Sequence, residues 1–387
     1  VSLPSDFTLL QVVPELETGG AEQSTIEVAK AVVRAGGTAL VATRGGRMVA
    51  RLEADGGRLA QMPVQTKNPL VMLGNAARLV TLIRQEKVSI VHARSRAPAF
   101  SALWAAKTTG TPFVATYHGV YKAQSGLKRW YNAIMTRGDL VIANSDFTRD
   151  HVLSEHQIDP DKLVTIPRGV DFERFDPTFV TANRIEGLRA AWGLEPNDHR
   201  TQILLAGRVT RIKGHLTIVE AARRLAATGR RDFQILFAGD HQGRTGYAAE
   251  VQAAIDAAGL GDAVKLVGHC DDMPAAYLLA DLAILPTNVP ESFGRAAVEP
   301  QAMGRTVIAS NHGGVTETVL DGVTGWLAPV DDPQAWADAL ARAIDLGPAK
   351  RLEMGEVGRK RARQLYSADA MCDQTLAAYE RVLEARA

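Results

Sequence analysis

Two successive series of short apolar runs, each run followed by a helical pattern, constrain this chain more than any other feature. In the first series the runs are Phe7–Val13, Ala39–Thr43, Ser89–His92, Phe113–Tyr117 and Leu140–Ala143. Between them, segments such as Ala21–Ala35 and Leu70–Gln85 carry apolar residues at three- and four-residue steps, the period of a helix with one buried face. The pattern restarts after Asp176–His199, a stretch of polar residues and turn formers that reads as a linker. The second series is Gln202–Ala206, Gln234–Ala238, Val264–Val267, Leu282–Pro286 and Thr306–Ala309. Alternating strands and helices imply parallel sheets covered by helices on both faces. The expected fold is therefore α/β, with two doubly wound, Rossmann-like domains facing a cleft. The domains are expected at 1–180 and 181–365. The last strong helical signal, Ala368–Ala385 within 366–387, is expected to pack back on the first domain.

Composition removes several alternatives. A hydrophobic content of 46% is too high for a disordered chain. Two widely spaced cysteines, Cys270 and Cys372, cannot form a disulfide framework and fit a reducing compartment. The longest uncharged apolar stretch, Ala97–Ala106, is about half a membrane span, and the N-terminus lacks the pattern of a signal peptide. The expectation is a soluble, cytoplasmic protein. A net charge of +1 hides an asymmetry: residues 1–170 carry 20 Lys+Arg against 14 Asp+Glu, and residues 171–387 carry 24 against 29. Within 28–138 the balance is 17 basic to 3 acidic. Such a block suits phosphate on a substrate, a membrane surface or a nucleic acid, or is a solvated basic face without a partner.

In open parallel sheets, ligands bind beyond the carboxyl ends of the strands, so the loops that follow each run carry the functional signal. After the first run, Gly19-Gly20 precedes a helix. Paired glycines and a helix N-terminus suit a phosphate, or form an ordinary strand-to-helix turn. The chain has neither G-x-G-x-x-G nor a Walker A sequence, which argues against a dinucleotide dehydrogenase and an NTPase. After Gln202–Ala206 comes Gly207-Arg208 and then Lys213-Gly214. An Arg fork and a Lys point charge at a strand's end suit a diphosphate. Glu291 and Glu299 lie eight residues apart in Pro290–Glu299. Pro290, Ser292 and Gly294 put Glu291 in the loop, with a helix expected from about Ser292, Glu299 about two turns in, and the amides of Ser292–Arg295 turned to the same space. Asp159-Pro160-Asp161 mimics a metal-binding D-x-D but reads as a turn.

Gly19-Gly20-Ala21-Glu22, Gly207-Arg208 with Lys213-Gly214, Glu291-x7-Glu299, Gly313-Gly314-Val315-Thr316-Glu317 and Asp321-Gly322-Val323-Thr324-Gly325 occur in that order. In this the chain resembles a family 4 glycosyltransferase with the GT-B fold, over nearly its whole length. The resemblance implies a retaining, metal-independent hexosyl transfer from a nucleotide-diphosphate sugar, UDP favoured over GDP, with no cofactor. It implies that Glu299 holds the donor ribose, that Glu291 contacts the sugar with help from the backbone N–H groups of Ser292, Phe293, Gly294 and Arg295, and that Arg208 and Lys213 bind the diphosphate. Gly19, Gly20, Gly207, Gly239 and His269 match loops that frame the donor, and His118 matches a histidine near the transferred sugar. The sequence departs from the family at Arg168, where Asn is frequent; that cation is expected either at the donor phosphate or paired with an acid.

For the acceptor, Gly126–Arg137 places Lys128, Arg129 and Arg137 beside Leu127, Trp130, Tyr131 and Ile134. As a helix it would show a basic and an aromatic–aliphatic surface, as interfacial helices do, although the aromatics could equally be core. With Lys122, these residues point to a lipid- or phosphate-bearing glycan acceptor, such as a lipopolysaccharide core precursor, and to an anionic membrane surface on the cytoplasmic face. The competing readings are a soluble transferase acting on a small sugar or metabolite, and a non-catalytic nucleotide-sugar-binding subunit. No nucleic-acid-binding motif is present.

Overall fold

The computed structural model describes residues 3–4, 6–17, 19–121, 125–196, 198–241, 243 and 245–386. The chain divides into two compact units, Val1–Gly169 with Ala368–Ala387, and Val170–Ser367.

The first unit is built on seven strands: β1 (Thr8–Val12), β2 (Thr38–Thr43), β3 (Arg58–Gln61), β4 (Ile90–Ala93), β5 (Phe113–Tyr117), β6 (Leu140–Ala143) and β7 (Leu163–Thr165). Their order is β3-β2-β1-β4-β5-β6-β7, and every pairing is parallel. The central strands bury both faces, so Leu10, Val12, Val91 and Ala115 enter one core while Leu9, Val114, Leu140 and Ile142 enter the other. That is why these strands read as unbroken apolar runs. The helix Ala368–Glu384 belongs to this unit: Met371, Leu376 and Tyr379 share a core with Leu9, Ile26 and Ile142. Among the described residues no helix is long and apolar enough to cross a membrane.

The second unit has six parallel strands: β8 (Thr201–Ala206), β9 (Phe233–Ala238), β10 (Val264–Gly268), β11 (Leu282–Leu285), β12 (Thr306–Ser310) and β13 (Gly325–Ala328). Their order is β10-β9-β8-β11-β12-β13. Ile203, Leu205, Phe237 and the fully buried Trp336 fill one side, and Leu204, Leu236, Leu285 and Val307 the other. Both sheets are thus the doubly wound, Rossmann-like type.

Two expectations change here. The unit boundary falls after Gly169 and not at 180, because the Val170 N–H donates to the Tyr366 carbonyl and Phe175 packs with Tyr277 in the second core. Residues 176–199 are not a bare linker: they hold the helix Ala182–Ala191, and Trp192 and Leu194 are buried in that same core. Asp159 does cap a short turn, Pro160–Lys162, by accepting from the Asp161 N–H.

Candidate active site

In the second sheet the strand order reverses between β8 and β11, which opens a crevice beyond their carboxyl ends. The loops after both strands meet there. Gly214 ends the turn Arg211–Lys213 with φ +71°, and a Cβ on it would lie 1.8 Å from the Pro286 carbonyl oxygen. Only glycine allows that approach. The Asn288 N–H donates to the Ile212 carbonyl, 3.1 Å away, and ties the same two loops again.

Their meeting brings Lys213 Nζ to 2.5 Å from Glu291 Oε1, with both side chains partly accessible. The Glu291 backbone is fixed from β12's side: its carbonyl accepts from the Gly314 N–H at 2.7 Å, and it forms a parallel bridge with Gly313. The helix expected from Ser292 starts later, at Arg295, because Gly294 adopts φ +86° and breaks the helical path before it. Glu291 and Glu299 therefore do not share one continuous helix. Glu299 sits one turn into Arg295–Ala302, 3.5 Å from Arg295 Nε, and accepts from the Tyr277 hydroxyl at 3.3 Å. Burial, and then the Glu299 carboxylate, push the Tyr277 phenol well above its ordinary pKa, so it stays protonated and donates.

The remaining sequence candidates fall as follows. Arg208 is exposed on the loop after β8, and Gly207 donates its N–H to Ala238. Gly239, after β9, donates to the Gly268 carbonyl. His269 is exposed and 2.9 Å from Asp271. The Phe293 side chain is a core group, buried and edge-on to Tyr366, so what this residue offers the site is its backbone. Ser292 and Arg295 are partly buried beside Glu291 and Glu299.

In the first unit, Gly19 caps the helix Gly20–Arg34 after β1, and His118 directly follows β5. Arg168, after β7, brings its Nη2 to 2.7 Å from His118 Nδ1. Gly126–Arg137 is helical only to Asn132 and continues as a 3-10 turn, Ala133–Thr136. It splits as its residue types demand, with Ile134 in the core and Lys128, Arg129 and Trp130 exposed. Lys122 lies outside the described residues.

Sequence reasoning missed Tyr277 and His312. His312 Nε2 is 2.9 Å from the Thr287 carbonyl, beside the Glu291 loop. Its place directly before Gly313-Gly314 was the available signal. Among the described residues, no group of three or more His, Cys, Asp or Glu is arranged to hold a metal ion.

The second unit thus gathers two carboxylates, three cations and a helix N-terminus beyond one strand crossing, a set able to grip hydroxyls and phosphate oxygens together. Comparison with known proteins gives this arrangement its context. A family described as Glycosyltransferase Family 4 matches residues 18–174, and one described as Glycosyl transferases group 1 matches residues 190–361. A solved glycosyltransferase from Rickettsia africae is 35% identical, with TM-score 0.90, covering 98% of this chain and 99% of that one. The Anabaena protein HepE, solved in complex with UDP and glucose, has TM-score 0.83 at 22% identity over 96% of this chain and 99% of its own. A D-inositol 3-phosphate glycosyltransferase from a Mycobacterium species is 32% identical over 56% of this chain. The match spans 47% of that relative, so the chain covers about half the length of the curated relatives it matches. With two parallel Rossmann-like sheets, both family matches and a relative aligned end to end, this chain belongs to the family 4 glycosyltransferases of GT-B fold.

Proposed function

We propose that the protein transfers a hexosyl group, with retention of anomeric configuration, from a UDP-sugar to a phosphate-bearing or lipid-linked glycan acceptor. The observation that carries this is the Lys213–Glu291 pair at 2.5 Å, set at the strand crossing of the second unit beside the N-terminus of Arg295–Ala302. Lys213 and Arg208 take the diphosphate, Glu291 and the neighbouring backbone take the sugar, and Glu299, oriented by Tyr277 and Arg295, takes the ribose hydroxyls. The bond from the anomeric carbon to the phosphate oxygen breaks as the acceptor oxygen bonds to that carbon on the same face. The acceptor's proton passes to the departing diphosphate. Charge accumulates on the leaving group, and fixed cations and amides there lower the barrier without a metal. HepE's complex with UDP and glucose supports the choice of nucleotide.

Titration calorimetry with UDP, GDP, CDP and ADP tests the donor site. UDP is expected to bind and the others to bind more weakly. Glu299→Ala should weaken UDP by about 10-fold or more, the cost of losing hydrogen bonds to a charged group. No binding of any nucleotide to the folded protein would overturn the reading.

For the acceptor, support comes from the relative named for D-inositol 3-phosphate and from the basic first unit. Leu127 (77% exposed) and Trp130 (53%) stand in the open beside Lys128 and Arg129, a combination that favours an anionic membrane, such as the cytoplasmic face where a lipopolysaccharide core precursor is built. Vesicles containing anionic lipid should bind the protein at low salt and release it at high salt, and Leu127→Ser with Trp130→Ser should abolish binding. Transfer to a small soluble acceptor without vesicle binding would point to a soluble-substrate enzyme.

A further inference from the structure

His118, directly after β5, and Arg168, after β7, are fifty residues apart, yet Arg168 Nη2 stands 2.7 Å from His118 Nδ1. A guanidinium offers N–H donors and no acceptor, so Nδ1 must be the accepting atom. The proton of the neutral ring then sits on Nε2. An imidazolium, protonated on both nitrogens, would set N–H against N–H and lose the bond.

The surroundings agree with that assignment. The residue is half-buried with its Nε2 atom out of contact with solvent, and the charged and titratable groups acting on the ring include Arg168, Arg94 and His92, with the Tyr121 hydroxyl at its backbone. Burial first, and then Arg168 and Arg94, hold the His118 pKa well below its ordinary value. Arg94 is itself fixed, donating through Nε to Gln11 Oε1 at 2.9 Å. His92 is held between the hydroxyls of Tyr379 and Thr116, at 2.6 and 2.7 Å. The Arg168 backbone has little freedom, since the next N–H, of Gly169, points at Met371 Sδ at 3.4 Å.

We propose that Arg168 is a positioning residue that locks His118 as the neutral Nε2–H tautomer, making it a fixed hydrogen-bond donor to a ligand oxygen and not a general base. A base must present a lone pair to the proton it takes. Here Nδ1 is occupied by Arg168 and Nε2 carries the proton, so neither nitrogen qualifies. The ligand oxygen rests on the proposed sugar transfer; the tautomer does not, and it can be read without substrate.

The test is long-range proton–nitrogen correlation spectroscopy on the full chain labelled at its nine histidines, with His118 assigned from His118→Gln. Across roughly pH 5 to 8 the wild-type His118 signals should show a protonated Nε2 and a bare Nδ1. Arg168→Leu, which removes the donor, should give mixed tautomers and move the titration midpoint up by about one unit. Arg168→Lys, which restores a donor, should return the wild-type pattern. A wild-type His118 protonated on Nδ1, or a folded Arg168→Leu protein with an unchanged pattern, would overturn the proposal. Either result stands apart from the UDP titration, whose failure would leave these spectra untouched.

Discussion

Lys213→Ala should weaken UDP binding about 10- to 100-fold, the range expected when a charge-assisted contact is lost. It should also lower turnover of the UDP-sugar by about 10²–10³-fold, the loss seen when one preorganised donor is removed from a developing anion. The effect on turnover should exceed that on affinity, because the leaving diphosphate carries more charge in the transition state than in the bound donor. The fold should survive the change. The turn Arg211–Lys213 is held by backbone bonds, Lys213 N–H to the Thr210 carbonyl at 2.9 Å and Asn288 N–H to the Ile212 carbonyl at 3.1 Å, and the lost ion pair is partly solvated. Lys213→Arg, which keeps the charge but not the shape, should recover part of the affinity. Wild-type affinity and turnover in Lys213→Ala would remove Lys213 from the site.

The largest expected loss of stability comes from Tyr379→Ala. Tyr379 is fully buried, packs near Phe7 and edge-on to His92, and its hydroxyl is 2.6 Å from His92 Nδ1. Truncating a buried aromatic ring costs about 3–5 kcal/mol, a large share of the ~5–15 kcal/mol of a typical domain. Tyr379→Phe isolates the polar part: it keeps the ring but leaves a buried ring nitrogen of His92 without its partner, worth about 1–3 kcal/mol. Urea unfolding followed through the first unit should rank wild type, Phe, then Ala. Equal midpoints for wild type and Tyr379→Phe would show that the hydroxyl contributes nothing.

The central strands were legible because burial on both faces leaves no polar interruption; Phe113–Tyr117 is read from the sequence with the bounds the structure gives it. The edges were not. β3 carries exposed ends and a half-buried middle, β7 is three residues long, and β13 follows a turn, so none of them made an apolar run. The helix Ala182–Ala191 escaped because it buries none of its residues, and its anchors, Trp192 and Leu194, lie just beyond it. In the site, Lys213 and Glu291 were each readable from their loops, but their contact joins residues 78 apart. Separations of 22 and 50 residues likewise hid Tyr277 from Glu299 and Arg168 from His118. Local pattern names which residues are candidates; only the sheet order says which ones touch.

The return of Ala368–Glu384 to the first unit bears on synthesis. Residues 170–367 form an uninterrupted stretch, so during translation that unit has all its strands and helices available while the other still lacks one. Until residues 368–387 emerge, the apolar face formed by Ile26, Leu9 and Ile142 has lost its cover, and His92 waits for the hydroxyl of Tyr379. Of the two units, the one begun first is therefore completed second, and a nascent chain stalled just before residue 368 would expose the first unit to chaperones and proteases while the second was already closed.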